Sequence, residues 1–264
     1  MKKYLIYFKV GFLDLLAYKA DFIIYIVVNM VFFFVFLALW KSIYTGSGIT
    51  EINNYSLNNT ITYYFITSFL FRLDPTFAMY LNQTVWNGSF TNDLVKPWNA
   101  LFVDFIYTLN ELSLRVLLYL PFSFFIFIVS FQYINIPSGI NFIYFIITAF
   151  LGIILAYCFY QIIHTLCFHF GDQDNNINLI SFIVAFLAGG TFPLAFLPEQ
   201  IRSIFLVLPF RFLFDTPANI FLGKLGSHEI FFIWLQMLLW SALFFVVYYL
   251  IYKSGLKKYT GTGR

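Results

Sequence analysis

FIIYIVVNMVFFFVFLALW, residues 22–40, runs without a single charge and carries one polar amide, Asn29. As a helix rising about 1.5 Å per residue it reaches roughly 28 Å, close to the ~30 Å hydrocarbon core of a bilayer. The rest of the chain is of the same kind: 61% of its residues are hydrophobic, 23% aromatic and only 10% charged, against about 25% charged in ordinary soluble domains. This is the composition of an integral membrane protein. A chain of 264 residues has room for about six crossings of roughly 20 residues each and little else. The expected fold is therefore one all-α membrane domain spanning 1–264, with six transmembrane helices.

Outward from that first crossing, the N-terminal stretch has a different pattern. On a helical wheel Leu5, Phe8, Phe12, Leu15 and Leu16 fall on one side, with Lys2, Lys3, Lys9, Asp14 and Asp21 opposite. That pattern predicts an amphipathic helix over 1–20 lying in the membrane interface. Lys19 falls on the apolar side, where its long stem can snorkel to the headgroups. The charges at Lys9, Asp14, Lys19 and Asp21 interrupt any signal-peptide core, so the segment is expected to be retained.

Toward the C-terminus, a Gly-, Ser- and Asn-rich loop follows Lys41, and a second crossing is expected over 60–80. Polar residues return at 82–100 before a third crossing from Leu101. Between Arg115 and Asp172 there is no Asp, Glu, Lys or Arg, a run too long for one crossing, and QYINIPSG at 132–139 is the turn that divides it. HFGDQDNNIN, 169–178, precedes a fifth crossing from Leu179, and IFFIWLQMLLWSALFFVVYYLIY, 230–252, is the sixth. Between these two, TFPLAFLPEQIRSIFLVLPF, 191–210, is apolar yet contains Pro193, Pro198 and Pro209, and Pro217 follows shortly after. Proline removes a backbone donor and clashes with the preceding turn, and irregular backbone survives at membrane depth only where protein or water surrounds it. The expectation is a broken, re-entrant pair of short helices over 194–223 on the outer side. Glu199 and Arg202 should face the outer surface, with Phe205, Leu206, Phe210, Phe212 and Phe214 packed inward.

Six crossings put both termini on one side. With the termini inside, the inner segments hold Lys2, Lys3, Lys9, Lys19, Lys96, Lys253, Lys257, Lys258 and Arg264, and the outer ones hold Lys41, Arg202, Arg211 and Lys224. This nine-to-four excess of cations favours cytoplasmic termini.

Four charges fall within crossings: Arg72, Asp74, Glu111 and Arg115. Glu111 and Arg115 have the i,i+4 order of a helical ion pair, and Arg72 and Asp74 can pair locally or across to a neighbour. The first reading is structural ion pairing near the headgroups; a substrate or proton path is the second. Cys158 and Cys167 sit nine apart on an apolar stretch, too far round a helix for a disulfide. With His164 and His169 they lack the paired spacing of zinc ligands, so no metal is expected. No G-x-x-x-x-G-K-[ST], G-x-S-x-G or H-E-x-x-H occurs, so the chain lacks the common nucleotide-cradling and hydrolase signatures and no enzyme is expected. The net charge of +3 from 15 cations and 12 anions is too mild and dispersed for a nucleic-acid partner.

Three features together carry a family resemblance: the amphipathic N-terminal helix, the loop NGSFTNDLVKPWNALF, and FPLAFLPEQIRSIFLVLPFRFLFDTPANIFLGK before the last crossing. The chain resembles the permease subunits of type 2 ATP-binding-cassette (ABC-2) exporters, in the six-span branch often grouped with antibiotic-resistance permeases. In that branch the first cytoplasmic loop has a Gly followed by Leu-x-x-Pro, matched here by Gly88, Leu94 and Pro97. The outer element is matched by Phe192, Pro193, Leu197, Pro198, Pro209, Pro217 and Gly223. Lys96 beside Trp98 departs from the Arg and smaller polar residue expected there. The resemblance implies a half-transporter, in which an identical or related permease pairs with this chain and separate ATPase subunits carry ATP and Mg. It also implies that the interfacial helix and the 82–100 loop, with Gly88, Leu94, Lys96 and Pro97, couple the two, and that an outer gate contains Pro193, Pro198, Glu199, Arg202, Pro209, Pro217 and Gly223. Beside an exporter permease stand a secondary transporter, a non-transporting membrane scaffold and a membrane-embedded transferase. A secondary transporter would show paired broken helices in internal repeats, and a transferase would gather polar side chains at one point in the bilayer.

Overall fold

In the computed structural model, residues 19–77, 79–96 and 99–261 are described. The expected interface helix lies almost wholly outside them, as do Pro97 and Trp98.

The described chain is mostly helical because long apolar segments without charges can satisfy their backbone only internally. Helix α1, Lys19–Ser47, is followed by a two-stranded antiparallel hairpin, β1 Glu51–Ile52 and β2 Tyr55–Ser56, then α2, Leu57–Arg72. Short helices α3, Tyr80–Trp86, and α4, Phe90–Val95, lead to α5, Ala100–Val129. Next come α6, Gly139–Thr165, with α7, Cys167–Phe170, as its near-continuation, and α8, Asp174–Leu187. Then come α9, Glu199–Val207, a 3-10 turn over Pro209–Phe212, α10, Asp215–Phe221, and the last long helix α11, Ser227–Leu256.

Helix starts follow capping chemistry. The Ser56 hydroxyl accepts from Asn59 N–H (3.3 Å), Asn99 Oδ1 from Leu101 N–H (2.9 Å), and Ser138 Oγ from Asn141 N–H (3.3 Å). Before α11, Glu229 Oε2 accepts from Gly226 N–H at 2.9 Å. The hairpin turn falls on Asn53 and Asn54, with φ of 47° and 64°, the left-handed conformation that a tight hairpin demands and Asn tolerates.

Among the described residues, four helices are long and apolar enough to cross a membrane: Val27–Ser47 within α1, Ala100–Val129, Gly139–Phe170 and Ser227–Leu256. The count rises to five if α9 with Pro209–Phe221, bent by 78°, is one broken span. The second and fifth expected crossings are shorter than the pattern suggested. Helix α2 has 16 residues and α8 has 14, about 24 and 21 Å long. The expected 60–80 span stops at Arg72 because Asp74-Pro75 turns the chain. A residue before proline is steered away from helical backbone, and Asp74 Oδ1 accepts from Thr76 N–H at 3.0 Å, a side-chain-closed turn.

Helices α6 and α11 pack along their length, joined by Trp234 Nε1 donating to Thr148 Oγ1 (2.8 Å) and by the Phe159 and Phe244 rings 5.4 Å apart. Helix α10 and the 3-10 turn lie against α6. Gly152 permits that approach, since a Cβ there would come within 3.2 Å of the Phe212 carbonyl oxygen. The core beneath gathers Tyr63, Ile66, Leu155, Phe212, Phe214 and Met237. The outer faces of α1, α5, α6 and α11 expose Val31, Phe32, Phe124, Phe150 and Leu239, the surface a helix presents to lipid rather than to water.

Candidate functional site

Two regions collect the polar chemistry. The first is the turn between α2 and α5. Gly88 adopts φ of 78°, a left-handed elbow that costs glycine least, and α4 starts directly after it. Phe90 is 0% exposed and lies edge-on to Phe168 (5.6 Å) and Tyr259 (5.5 Å). The Tyr259 hydroxyl donates to the Gly88 carbonyl at 3.1 Å. Gly255 lets the end of α11 close onto the same cluster, for a Cβ there would meet Phe168 at 2.6 Å. Asp93, buried, accepts from the Tyr80 hydroxyl (2.5 Å) and from Lys96 Nζ (3.1 Å). Asn82 is also buried. Its amide donates to Asp172 (2.8 Å) and Asp174 (2.6 Å), and its oxygen accepts from Gln173 N–H (3.2 Å). The turn is thus fastened on its inner side to the loop after α7 and to the C-terminal segment. On its outer side Leu94 is 44% and Val95 86% exposed.

Of the residues assigned to coupling, Gly88 forms the elbow, Lys96 braces Asp93 and Leu94 faces outward, while Pro97 lies outside the described residues. Asn82, Phe90, Asp93 and Tyr259 escaped the sequence reading. An aromatic or an amide in a polar loop carries no periodic signal, and their partners lie up to 171 positions away.

The second region is the proline-broken segment. Pro198 caps α9, and Leu208-Pro209 separates it from the 3-10 turn. Asp215 holds the segment together: its carboxylate accepts from the Tyr63 hydroxyl (3.0 Å), Leu194 N–H (3.1 Å) and Asn219 Nδ2 (3.0 Å). Its own N–H donates to the Ala188 carbonyl at 3.0 Å. Tyr63 also reaches the Gly189 carbonyl at 2.6 Å. Gly189, at φ of 75°, has no room for a Cβ, which would sit 2.7 Å from the Tyr63 oxygen. Phe205, Phe212 and Phe214 are buried as expected, Leu206 and Phe210 half-buried. Glu199 is exposed and pairs with Arg202 at 3.5 Å. Pro193, Pro209 and Pro217 are buried, whereas Pro198 and Gly223 are exposed, and Gly223 turns the chain at φ of 71°.

Of the four charges read within crossings, Arg72 lies on α2, Asp74 in the turn after it, and Glu111 and Arg115 on α5. Arg72 bonds the Asn29 side chain and lies 5.8 Å from both the Phe71 and Tyr119 rings. Asp74, besides Thr76, accepts from the Tyr160 hydroxyl at 3.4 Å. Arg115 interacts electrostatically with both Asp74 and Glu111. A fifth charged residue, missed because it stands only four residues into α5, is Asp104. It is fully buried and accepts from Tyr157 (3.0 Å) and Gln161 (2.6 Å) of α6. His164 is buried one turn beyond, and Cys158 and Cys167 are unbridged.

The geometry is that of a membrane helix assembly with a braced turn at one end and an acid-pinned, broken segment at the other. No curated protein matches the chain. The family described as "ABC-2 family transporter protein" matches residues 7–263, nearly the whole length, and the chain belongs to that family.

Proposed function

We propose that this chain is the membrane-spanning permease subunit of an ATP-driven exporter, a single permease domain over 1–264 that pairs with a second, identical or related permease. ATP and Mg are carried by separate ATPase subunits, and lipid is the surrounding partner. In this reading both termini and residues 82–100 face the cytoplasm of a bacterial cell membrane. The segment 194–223 is the re-entrant outer gate, and α2 and α8 complete six crossings by virtue of the polar turns that extend them. Membership of the ABC-2 family supports the transport role and a non-catalytic membrane component.

The observation that carries the coupling assignment is the two-sidedness of the 86–96 turn. Its inner side is fixed by Phe90, Asp93 and Asn82, and its outer side presents Leu94 and Val95 to solvent. A rigid turn with exposed apolar side chains suits docking to a partner that pushes on it. The test is affinity purification of the permease from its native host. An ATPase subunit should accompany it and change its turnover on binding; a permease that arrives without any ATPase favours the scaffold reading instead. Orientation is tested by single cysteines at Ser47 and Ser254 in a Cys-free background. An impermeant reagent should label position 47 in intact cells and leave 254 unlabelled.

A further inference from the structure

Beside the broken segment lies a cavity of about 810 Å³, whose apolar lining includes Leu194, Leu197, Pro198, Leu206 and Leu225. Its polar lining is Asn53, Asn54 and Tyr55 of the hairpin, with Glu199, Arg202, Asp215, Asn219 and Lys224. The volume is that of a small-molecule site, and its lining is richer in polar and charged groups than such sites usually are, with the leucines supplying an apolar share.

The hydrogen-bonding groups of the cavity are unequally committed. Both Asp215 oxygens are already occupied by Tyr63, Leu194 N–H and Asn219. The Tyr55 hydroxyl is given to Asn219 Oδ1, and the Asn53 amide to the Ala195 carbonyl. What remains is cationic donor capacity. Lys224 Nζ stands 3.0 Å from the centre of the Tyr55 ring and makes one hydrogen bond, to the Asn54 carbonyl at 2.8 Å. An ammonium carries three donors. Arg202 is held by Glu199 across 3.5 Å, its Nε is buried without a hydrogen-bond partner, and its charge acts on the same Tyr55 hydroxyl. Two cations thus flank one tyrosine with donors to spare, in a cavity whose lining also holds leucines.

We propose that this outer cavity binds an amphiphile with an anionic headgroup, Lys224 and Arg202 taking the anion and Leu194, Leu197, Leu206 and Leu225 taking the apolar part. That such an amphiphile is cargo rests on the exporter reading; the binding itself does not. Partial burial lowers the Lys224 ammonium to about 8, with Glu51 on β1 and Asp215 on α10 opposing that shift. The remaining charges at the cavity are Glu199 and Arg202 on α9, paired with each other at 3.5 Å. The site therefore holds its second positive charge below about pH 8 and loses it as pH rises through that value, and an anion bound there pushes the loss to higher pH.

The test is isothermal titration of the full chain in phosphatidylcholine nanodiscs, against empty nanodiscs, with dihexanoyl phosphatidylglycerol as the probe because its single negative charge does not titrate near neutrality. Saturable binding is expected, at least about tenfold tighter than that of dihexanoyl phosphatidylcholine or of inorganic phosphate. Lys224→Gln and Arg202→Gln should each weaken it about tenfold or more, with Lys224→Arg within about threefold of the parent and without the loss of affinity above pH 8. Phosphate binding as tightly as the lipid would overturn the amphiphile, and affinity indifferent to both Gln variants would overturn the site. Each variant is first checked for a monodisperse profile and an unchanged unfolding temperature. Because no ATPase is present, failure here leaves the permease reading standing.

Discussion

The turn at 80–96 and the broken segment at 188–225 are each organised around one buried acid, yet the two acids are used differently. Asp93 is held by Tyr80 and Lys96, neighbours within 13 positions along the chain. Asp215 is held by Tyr63, 152 positions away, and by Leu194 N–H, 21 positions away. The first acid stiffens a local turn whose attachment to the rest of the molecule comes from aromatic packing and from Asn82. The second joins separate stretches of chain directly, beside the further tie from Tyr63 to the Gly189 carbonyl. One end of the molecule is a locally braced turn, the other a broken segment whose separate stretches meet at one buried acid beside a cavity.

If that contrast is right, the costs of breaking each part should fall in order. Asp215→Ala leaves the buried Leu194 N–H without its acceptor and removes one bond each from the Tyr63 hydroxyl and Asn219. We expect about 4 kcal/mol of lost stability, read as a fall in the detergent unfolding temperature and as new protease cleavage within 188–225. Phe90→Ala empties a fully buried ring site against Phe168 and Tyr259, and about 3 kcal/mol is expected, with cleavage appearing in 80–96 instead. Should Phe90→Ala cost more than Asp215→Ala, the contrast between braced turn and broken segment would be reversed. Lys96→Ala removes a half-exposed partner of Asp93 and should cost less than about 1 kcal/mol, because Tyr80 still bonds the acid. A larger loss would mean that the turn depends on its ion pair rather than on its aromatic anchor.

The same contrast explains what could be read from the sequence. Membrane class, the long helices and the break after α8 were legible because they rest on composition and on proline, signals that survive in a short window. The burial of Phe205, Phe212 and Phe214 followed from the same patterns. The lengths of α2 and α8 did not, because hydropathy continues past Arg72 while the Asp74-Pro75 turn stops the helix. Asp215, Asn82 and Asp104 were missed for a different reason. Each is defined by partners such as Tyr63, Asp172 or Gln161 that are distant in sequence, so the residue alone looks like any polar interruption of an apolar run. Charge attracted attention to Arg72, Asp74, Glu111 and Arg115, which the fold places on α2, the turn after it and α5.

The central claim is that the 86–96 turn receives the push of an ATPase through Leu94 and Val95 while its inner side carries that push into the helices. Leu94→Asp places a charge on the exposed face and touches none of the buried partners, so insertion and unfolding temperature should stay as they are. The decisive measurement is the ATP turnover of the copurified ATPase, compared between the parent permease and Leu94→Asp in the same liposomes. The account predicts that the variant loses the ATPase on purification, or keeps it with a turnover no longer responsive to the permease. An ATPase retained in full with an unchanged permease-dependent turnover would contradict it.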